Sequence, residues 1–363
     1  MRETIAIAAP AAITIAAALT AAALAGGCAL AESVRQQEDS YVEGTLAKVN
    51  NLVQGTENEL SPFVPKIWPG PYFARRHTPM IYASAPWQDG DECWIEVPEY
   101  AWAHVPGDPH NGSPFYYGRD IGTNKSWSIR YPSQQEPLWR PLDGGGLAID
   151  NPLEGGYVVR FRVLPHDRMI EVRFGITNDS DKPVTDVRCQ LCMMPHKIAS
   201  LAERWPTSSK MLAGGEVISW DAAGQDLSWL DPYRTTDGRF KQSCFFLAPV
   251  AGHLPDDWDT QKRRYGSVMW LDKVVDIPAV AKCNSDETDC LIVYSPFGRN
   301  AFYNCLVPCF HADPHMDLIP PGETRWTTSY YLMFAGDLKT FLTKLAALHA
   351  EIRRGDGVEW KGF

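Results

Sequence analysis

Apolar and polar positions alternate with a period of two through the middle of the chain. Tyr157, Val159, Phe161 and Val163 form one such set, with Arg160 and Arg162 falling between them. Ile170, Val172, Phe174 and Ile176 repeat the pattern around Glu171 and Arg173, and Val187, Cys189, Leu191 and Met193 repeat it around Arg188 and Gln190. A strand sends successive side chains to opposite faces, so each segment reads as a strand with one apolar face. Short polar turns at 165–168 and 178–183 join the three, which predicts an antiparallel meander. Further strands are expected at 243–249, 267–275, 290–295, 301–309 and 324–334, the last after the turn Pro320-Pro321-Gly322-Glu323.

The period changes at both ends. Leu338, Phe341, Leu342, Leu345, Leu348 and Ile352 recur at helical spacing behind Asp337, a good N-cap, and predict a helix over 338–354. Val34, Tyr41, Val42, Leu46, Val49 and Val53 give a second helical stripe within the segment 32–60. Residues 61–156 are rich in Pro, Gly, Trp and Tyr and carry few periodic runs. They read as long loops and short strands, the kind of segment that often bears binding surfaces. The expected fold class is mainly β: a large antiparallel β-sandwich over 61–363, closed by one C-terminal helix.

Residues 1–31 stand apart. An uncharged run from Ile5 to Ala25 leads to Ala29-Leu30-Ala31, an A-x-A cleavage site, so 1–31 reads as a signal peptide of bacterial type. The chain is therefore expected to be exported, periplasmic or secreted, with no stable membrane span after cleavage. Two alternatives stay open: an uncleaved membrane anchor, and lipid attachment through Cys28. Nine cysteines are present, and removal of Cys28 leaves an even number, which in an exported chain suggests disulfides. Cys283 and Cys290 bracket a polar loop and are the best local pair. Cys189, Cys192, Cys305 and Cys309 could instead form a thiolate zinc site.

Composition narrows the partners. Lys and Arg number 34 against 44 Asp and Glu, a net charge of −10, which argues against nucleic acid. Gly and Pro, 28 each, and 11% aromatic residues suit many short strands and turns.

Two segments carry a resemblance. Glu171-Val-Arg-Phe-Gly-Ile-Thr-Asn178 is followed by a turn ending Lys182-Pro183, a strand, and Met194-Pro195-His196. Leu318-Ile-Pro-Pro-Gly-Glu323 leads into Tyr330-Tyr-Leu-Met-Phe334. Together they resemble the galactose mutarotase-like, or aldose 1-epimerase-like, β-supersandwich family. The resemblance implies a supersandwich fold, a carbohydrate ligand and a catalytic role for His196. One departure is plain: the stretch 302–311 lacks the Glu that serves the epimerases as general base.

Candidate chemistry follows from residue types. In an extended backbone His311, Asp313 and His315 project to one side, where they could act as acid and base or hold a divalent metal. A plain turn at Asp313-Pro314 is the competing reading. Trp220, Trp229, Tyr233 and Arg234 offer aromatic faces and a guanidinium for a sugar ring, or simply anchor loops. The resulting expectation is an exported carbohydrate-active protein that binds a sugar or oligosaccharide. His196, His311 and Asp313 would perform epimerase- or lyase-type acid/base chemistry. The alternative is a non-catalytic carbohydrate-binding module of the cell envelope. No cofactor is expected apart from a divalent ion at His311, Asp313 and His315.

Overall fold

The alternating segments build two nine-stranded sheets. The structure, a computed structural model, describes residues 44–55, 58–70, 80–87, 92–104, 139–153, 156–195, 197–201, 208–220, 235–236, 245–253, 268–271, 273–304 and 309–354. The chain divides into Met1–Gly44 and Thr45–Phe363, and every strand belongs to the second unit.

The first sheet runs β1 (Ile67–Pro69), β2 (Met80–Ser84), β3 (Glu92–His104), β8 (Val184–Met194), β16 (Phe310–His311), β15 (Asn300–Asn304), β11 (Phe245–Pro249) and β12 (Val268–Trp270), with β17 (His315–Ile319) also on β8. The second runs β10 (Glu216–Ser219), β9 (Ser209–Ala213), β13 (Ala279–Cys283), β14 (Asp289–Tyr294), β18 (Thr324–Ala335), β7 (Met169–Asn178), β6 (Tyr157–His166), β5 (Leu147–Leu153) and β4 (Arg140–Pro141). Neighbours pair antiparallel, apart from parallel β11 and β12.

Each sheet turns its apolar face inward. Val159, Phe161, Val163, Val172, Phe174 and Ile176 from the second sheet share one buried cluster with Cys189, Leu191 and Met193 from the first. Phe161 stacks on Phe174 at 5.1 Å. The Tyr331 hydroxyl of β18 donates to the Leu191 carbonyl of β8 at 3.1 Å, which links the sheets through the core. Burial on this scale is the main stabilising term for a sandwich.

The expected three-strand meander is only partly realised. β6 and β7 do pair, through a two-residue turn at Asp167 and Arg168. β8 does not continue beside β7; it crosses to the first sheet, between β3 and β16. The reason lies at Asn178. Its backbone N–H donates to Glu323 O at 2.9 Å, and its carbonyl accepts from Gly322 N–H at 2.6 Å, so β18 already occupies that edge of β7. The buried Asn178 side chain donates to Lys182 O at 2.8 Å and Ile319 O at 2.9 Å, and accepts from the Ser180 hydroxyl at 2.6 Å. The Ile-Thr-Asn strand end and the Pro-Gly-Glu turn are thus clasped together.

Strands expected at 243–249, 290–295, 301–309 and 324–334 appear as β11, β14, β15 and β18 with shifted ends. The region 61–156 yields β1 to β5. Among the described residues, two α-helices flank the sandwich sequence. Residues 44–54 form α1, with Val49 and Val53 buried. The C-terminal helix, α2, spans Leu338–Arg354. Asp337 caps it, accepting from Lys339 N–H at 3.1 Å and the Thr340 hydroxyl at 2.6 Å. Phe341 packs on Phe334 at 4.3 Å, and His349 Nδ1 meets the Tyr294 hydroxyl at 3.0 Å. The helix therefore lies on the outer face of the second sheet. Among the described residues no helix is long and apolar enough to cross a bilayer. The segment 1–31 and residues Val34, Tyr41 and Val42 lie outside the described residues.

This docking makes helix stability acid-sensitive. Burial, with the nearby Arg353 charge, lowers the His349 pKa from 6.5 to about 4. The neutral ring's contribution is full above pH 6.5 and is lost as pH falls through 4. Urea midpoints measured across that window are expected to decline less steeply in His349→Gln than in the parent.

Candidate functional site

Alternation decides which side chains share a face of the first sheet. Phe310 is opposite both Tyr303 and Met193, and all three enter the core. His311 is the next residue and is opposite Phe302, so His311 and Phe302 project to the other face. Their rings stack with centroids 3.8 Å apart and planes 27° apart. Both are buried, as are Leu247 and Cys192, which also fall on that face.

Two residues further on, Asp313 places Oδ1 2.6 Å from His311 Nδ1. The backbone just after Asp313 runs along β8, where Pro314 O accepts from Cys189 N–H at 3.1 Å. Pro314 also bridges to Gly298, where a Cβ would come within 2.7 Å of Pro278 and 3.2 Å of the Asp313 carbonyl. A side chain there would push this segment off its neighbour. His315 then opens β17 opposite Arg188. Asp313 and His315 are each 4% exposed.

The pair has a definite charge. Burial alone would lower the His311 pKa, but the Asp313 charge and hydrogen bond, with a further contribution from Cys309, lift it from 6.5 to about 9. His311 is therefore an imidazolium at neutral pH. With Nδ1–H donated to Asp313, Nε2–H is the ring's second donor, and Cys309 also hydrogen-bonds the ring. Burial pushes up the Cys189 thiol and the Tyr331 phenol, and the Asp313 charge adds to both.

The expected one-sided projection holds for His311 and Asp313, which touch. Among the described residues no three His, Cys, Asp or Glu side chains are grouped to hold a metal ion. Asp313 Oδ1 meets His311, and His315 belongs to β17. Trp220 also departs from expectation. It is fully buried in the core, stacked on Tyr303 at 6.4 Å and tilted against Phe246 at 6.3 Å, so its faces serve packing and not a sugar. His196, Trp229, Tyr233 and Arg234 lie outside the described residues, although His196 directly follows Pro195 at the end of β8. Phe302 was not singled out by sequence, since its contact with His311 arises only from the β15–β16 register.

No family model matches the sequence, and no curated protein does. Among solved structures, a Synechocystis protein overlaps 77% of this chain and 98% of its own, with 8% identity and a TM-score of 0.38. A candidate aldose 1-epimerase of Escherichia coli K12 overlaps 75% and 99%, with 12% identity and a TM-score of 0.37. A candidate aldose 1-epimerase of Klebsiella pneumoniae overlaps 80% and 96%, with 7% identity and a TM-score of 0.29. At such scores the likeness assigns neither family nor activity to the chain.

The His311 shift predicts an alkaline loss of stability. A raised pKa contributes stability that is complete below pH 6.5 and disappears as pH rises through about 9. Urea midpoints of the parent are expected to fall across that interval. Asp313→Asn, which removes the charge that lifts the pKa, is expected to flatten the slope.

Proposed function

We propose that the chain is an exported carbohydrate-active protein in which His311 gives a proton to a sugar substrate. The 2.6 Å contact between His311 and Asp313, with the imidazole held by Phe302, carries this reading. His311 is charged at neutral pH and serves as the acid through Nε2. Asp313 holds the ring and its tautomer and is a positioning residue. His196, just beyond β8, accepts the proton removed from the sugar, so one proton leaves and one arrives. Epimerase- and lyase-type reactions need such an acid and base and no nucleophile. Trp229, Tyr233 and Arg234 would hold the ring.

One observation favours the non-catalytic alternative. His311 is 0% exposed, so a substrate reaches it only if the site opens. The two readings separate by NMR detection of products from a set of oligosaccharides. The acid/base reading expects turnover in the parent and a loss of about 10²-fold or more in His311→Ala. Asp313→Asn is expected to move the alkaline limb of the rate profile to lower pH. Glycan binding that persists in His196→Ala and His311→Ala, with no product from the parent, would establish the binding module instead.

Export is part of the proposal, supported by the pattern of residues 1–31 and by one cysteine pair. Cys283 is opposite Cys290 in the β13–β14 hairpin, and both thiols are free and buried. Asn284 N–H donates to Asp289 O at 3.0 Å, so the next pair inward, Cys283 and Cys290, is a non-hydrogen-bonded one. Such pairs bring Cα atoms to about 4.5 Å, within disulfide range. In an oxidising compartment the two S–H bonds give way to one S–S bond during folding, with two protons and two electrons passing to a disulfide-donating oxidoreductase. Mass spectrometry of the exported protein is expected to find the two cysteines linked and two hydrogens missing. Recovery of both as alkylatable thiols after unfolding would overturn this assignment.

A further inference from the structure

The outer face of the second sheet is divided. Helix α2 covers the part near β14 and the end of β18, through Phe341 and His349. The opposite part, over β5, β6, β7 and the start of β18, is reached by solvent. Arg140, Arg160 and Arg162 side chains there keep 57%, 30% and 20% of their exposure.

Three features of this face are unusual for a chain of net charge −10. First, the three guanidiniums converge on one carboxylate: Asp150 takes Arg140 at 3.2 Å, Arg160 at 3.2 Å and Arg162 at 2.7 Å. Three positive charges around one negative leave a local excess. Second, an aromatic plate lies beside them. Trp326 is half-buried and rests against Gly175, where a Cβ would come within 2.6 Å of the indole. Only glycine lets the ring settle onto the β7 backbone. The Arg162 guanidinium stands 5.4 Å from the Trp326 ring centroid. Third, hydroxyls fill the next row: Arg160 Nε donates to Thr177 Oγ1 at 2.8 Å, which meets Thr324 Oγ1 at 2.8 Å.

We propose that this face binds an acidic oligosaccharide, a chain of uronate-type sugars. Guanidinium forks pair with planar carboxylates, and an indole stacks on the C–H face of a sugar ring. Asp150 and the half-buried Thr324 hydroxyl exchange hydrogen bonds with sugar hydroxyls, while the buried Thr177 orients Arg160. A polyphosphate chain suits the face less well, because it offers no hydroxyls to Asp150 and no C–H ring face to Trp326. The site is on the other sheet from His311 and stands whether or not His311 turns over a substrate.

Isothermal titration calorimetry with the full chain tests this, using oligogalacturonate, a neutral glucose oligomer, a short single-stranded DNA and anionic phospholipid vesicles. Oligogalacturonate is expected to bind, more weakly at high salt, and the neutral oligomer is not. Trp326→Ala and Arg162→Gln are each expected to weaken binding by about tenfold, with thermal melting confirming that both fold. Arg160→Gln provides a third variant should either fail to fold. His311→Ala is expected to bind as the parent does. No binding by the parent, unchanged affinity in the variants, loss of binding in His311→Ala alone, or DNA or vesicle binding as tight as the oligogalacturonate would each overturn the proposal.

Discussion

A strand cannot bury one residue without presenting the next to the opposite face, and this constraint runs through the whole molecule. Putting Phe310 and Tyr303 into the core obliges His311 and Phe302 to meet on the other side of the same sheet. Burying Phe161 and Phe174 obliges Arg160, Arg162 and Gly175 to line the outside of the second sheet. The core and both candidate surfaces are therefore products of one register. A slip of one residue in any of these pairings would exchange them.

The two sheets use their outer faces differently. On the first, Leu247, Phe302, Cys192 and His311 are all buried, although none points into the sandwich core. A charged imidazolium in that setting is costly to desolvate, and only a close carboxylate such as Asp313 makes it tenable. Replacing such a pair with apolar side chains is often neutral for stability, so the pair is better understood through what it can do to a proton. On the second sheet the charges remain partly hydrated. Asp150 holds three arginines in place, and those guanidiniums, after burial's opposing effect, hold its carboxyl below the usual carboxylate range.

Much of the strand layout could be read from residue order. The clean period-two segments became β6, β7 and β8, and the helical stripe behind Asp337 became α2. Such elements rest on local patterns, and short-range physics decides them. β13 shows no period because its residues are buried on both faces, β9, β10, β16 and β17 are too short to show one, and the strands of 61–156, expected there only as short strands among loops, include the 13-residue β3. Trp220 misled for a related reason: an aromatic side chain looks the same in sequence whether it packs in a core or faces a ligand.

By itself, residue order determined that the chain is built from antiparallel strands with a terminal helix, and that His311 and Asp313 could share a side, because a two-residue spacing in extended backbone is a local property. Only the tertiary structure decided that β8 leaves β7 for the other sheet, that Phe302 clamps His311, that His315 opens β17 opposite Arg188, and that Trp326 lies on Gly175 among arginines. Each of those depends on pairing between segments far apart in the chain, and pairing is set by which edges are already occupied, as Asn178 and the Gly322–Glu323 turn occupy theirs.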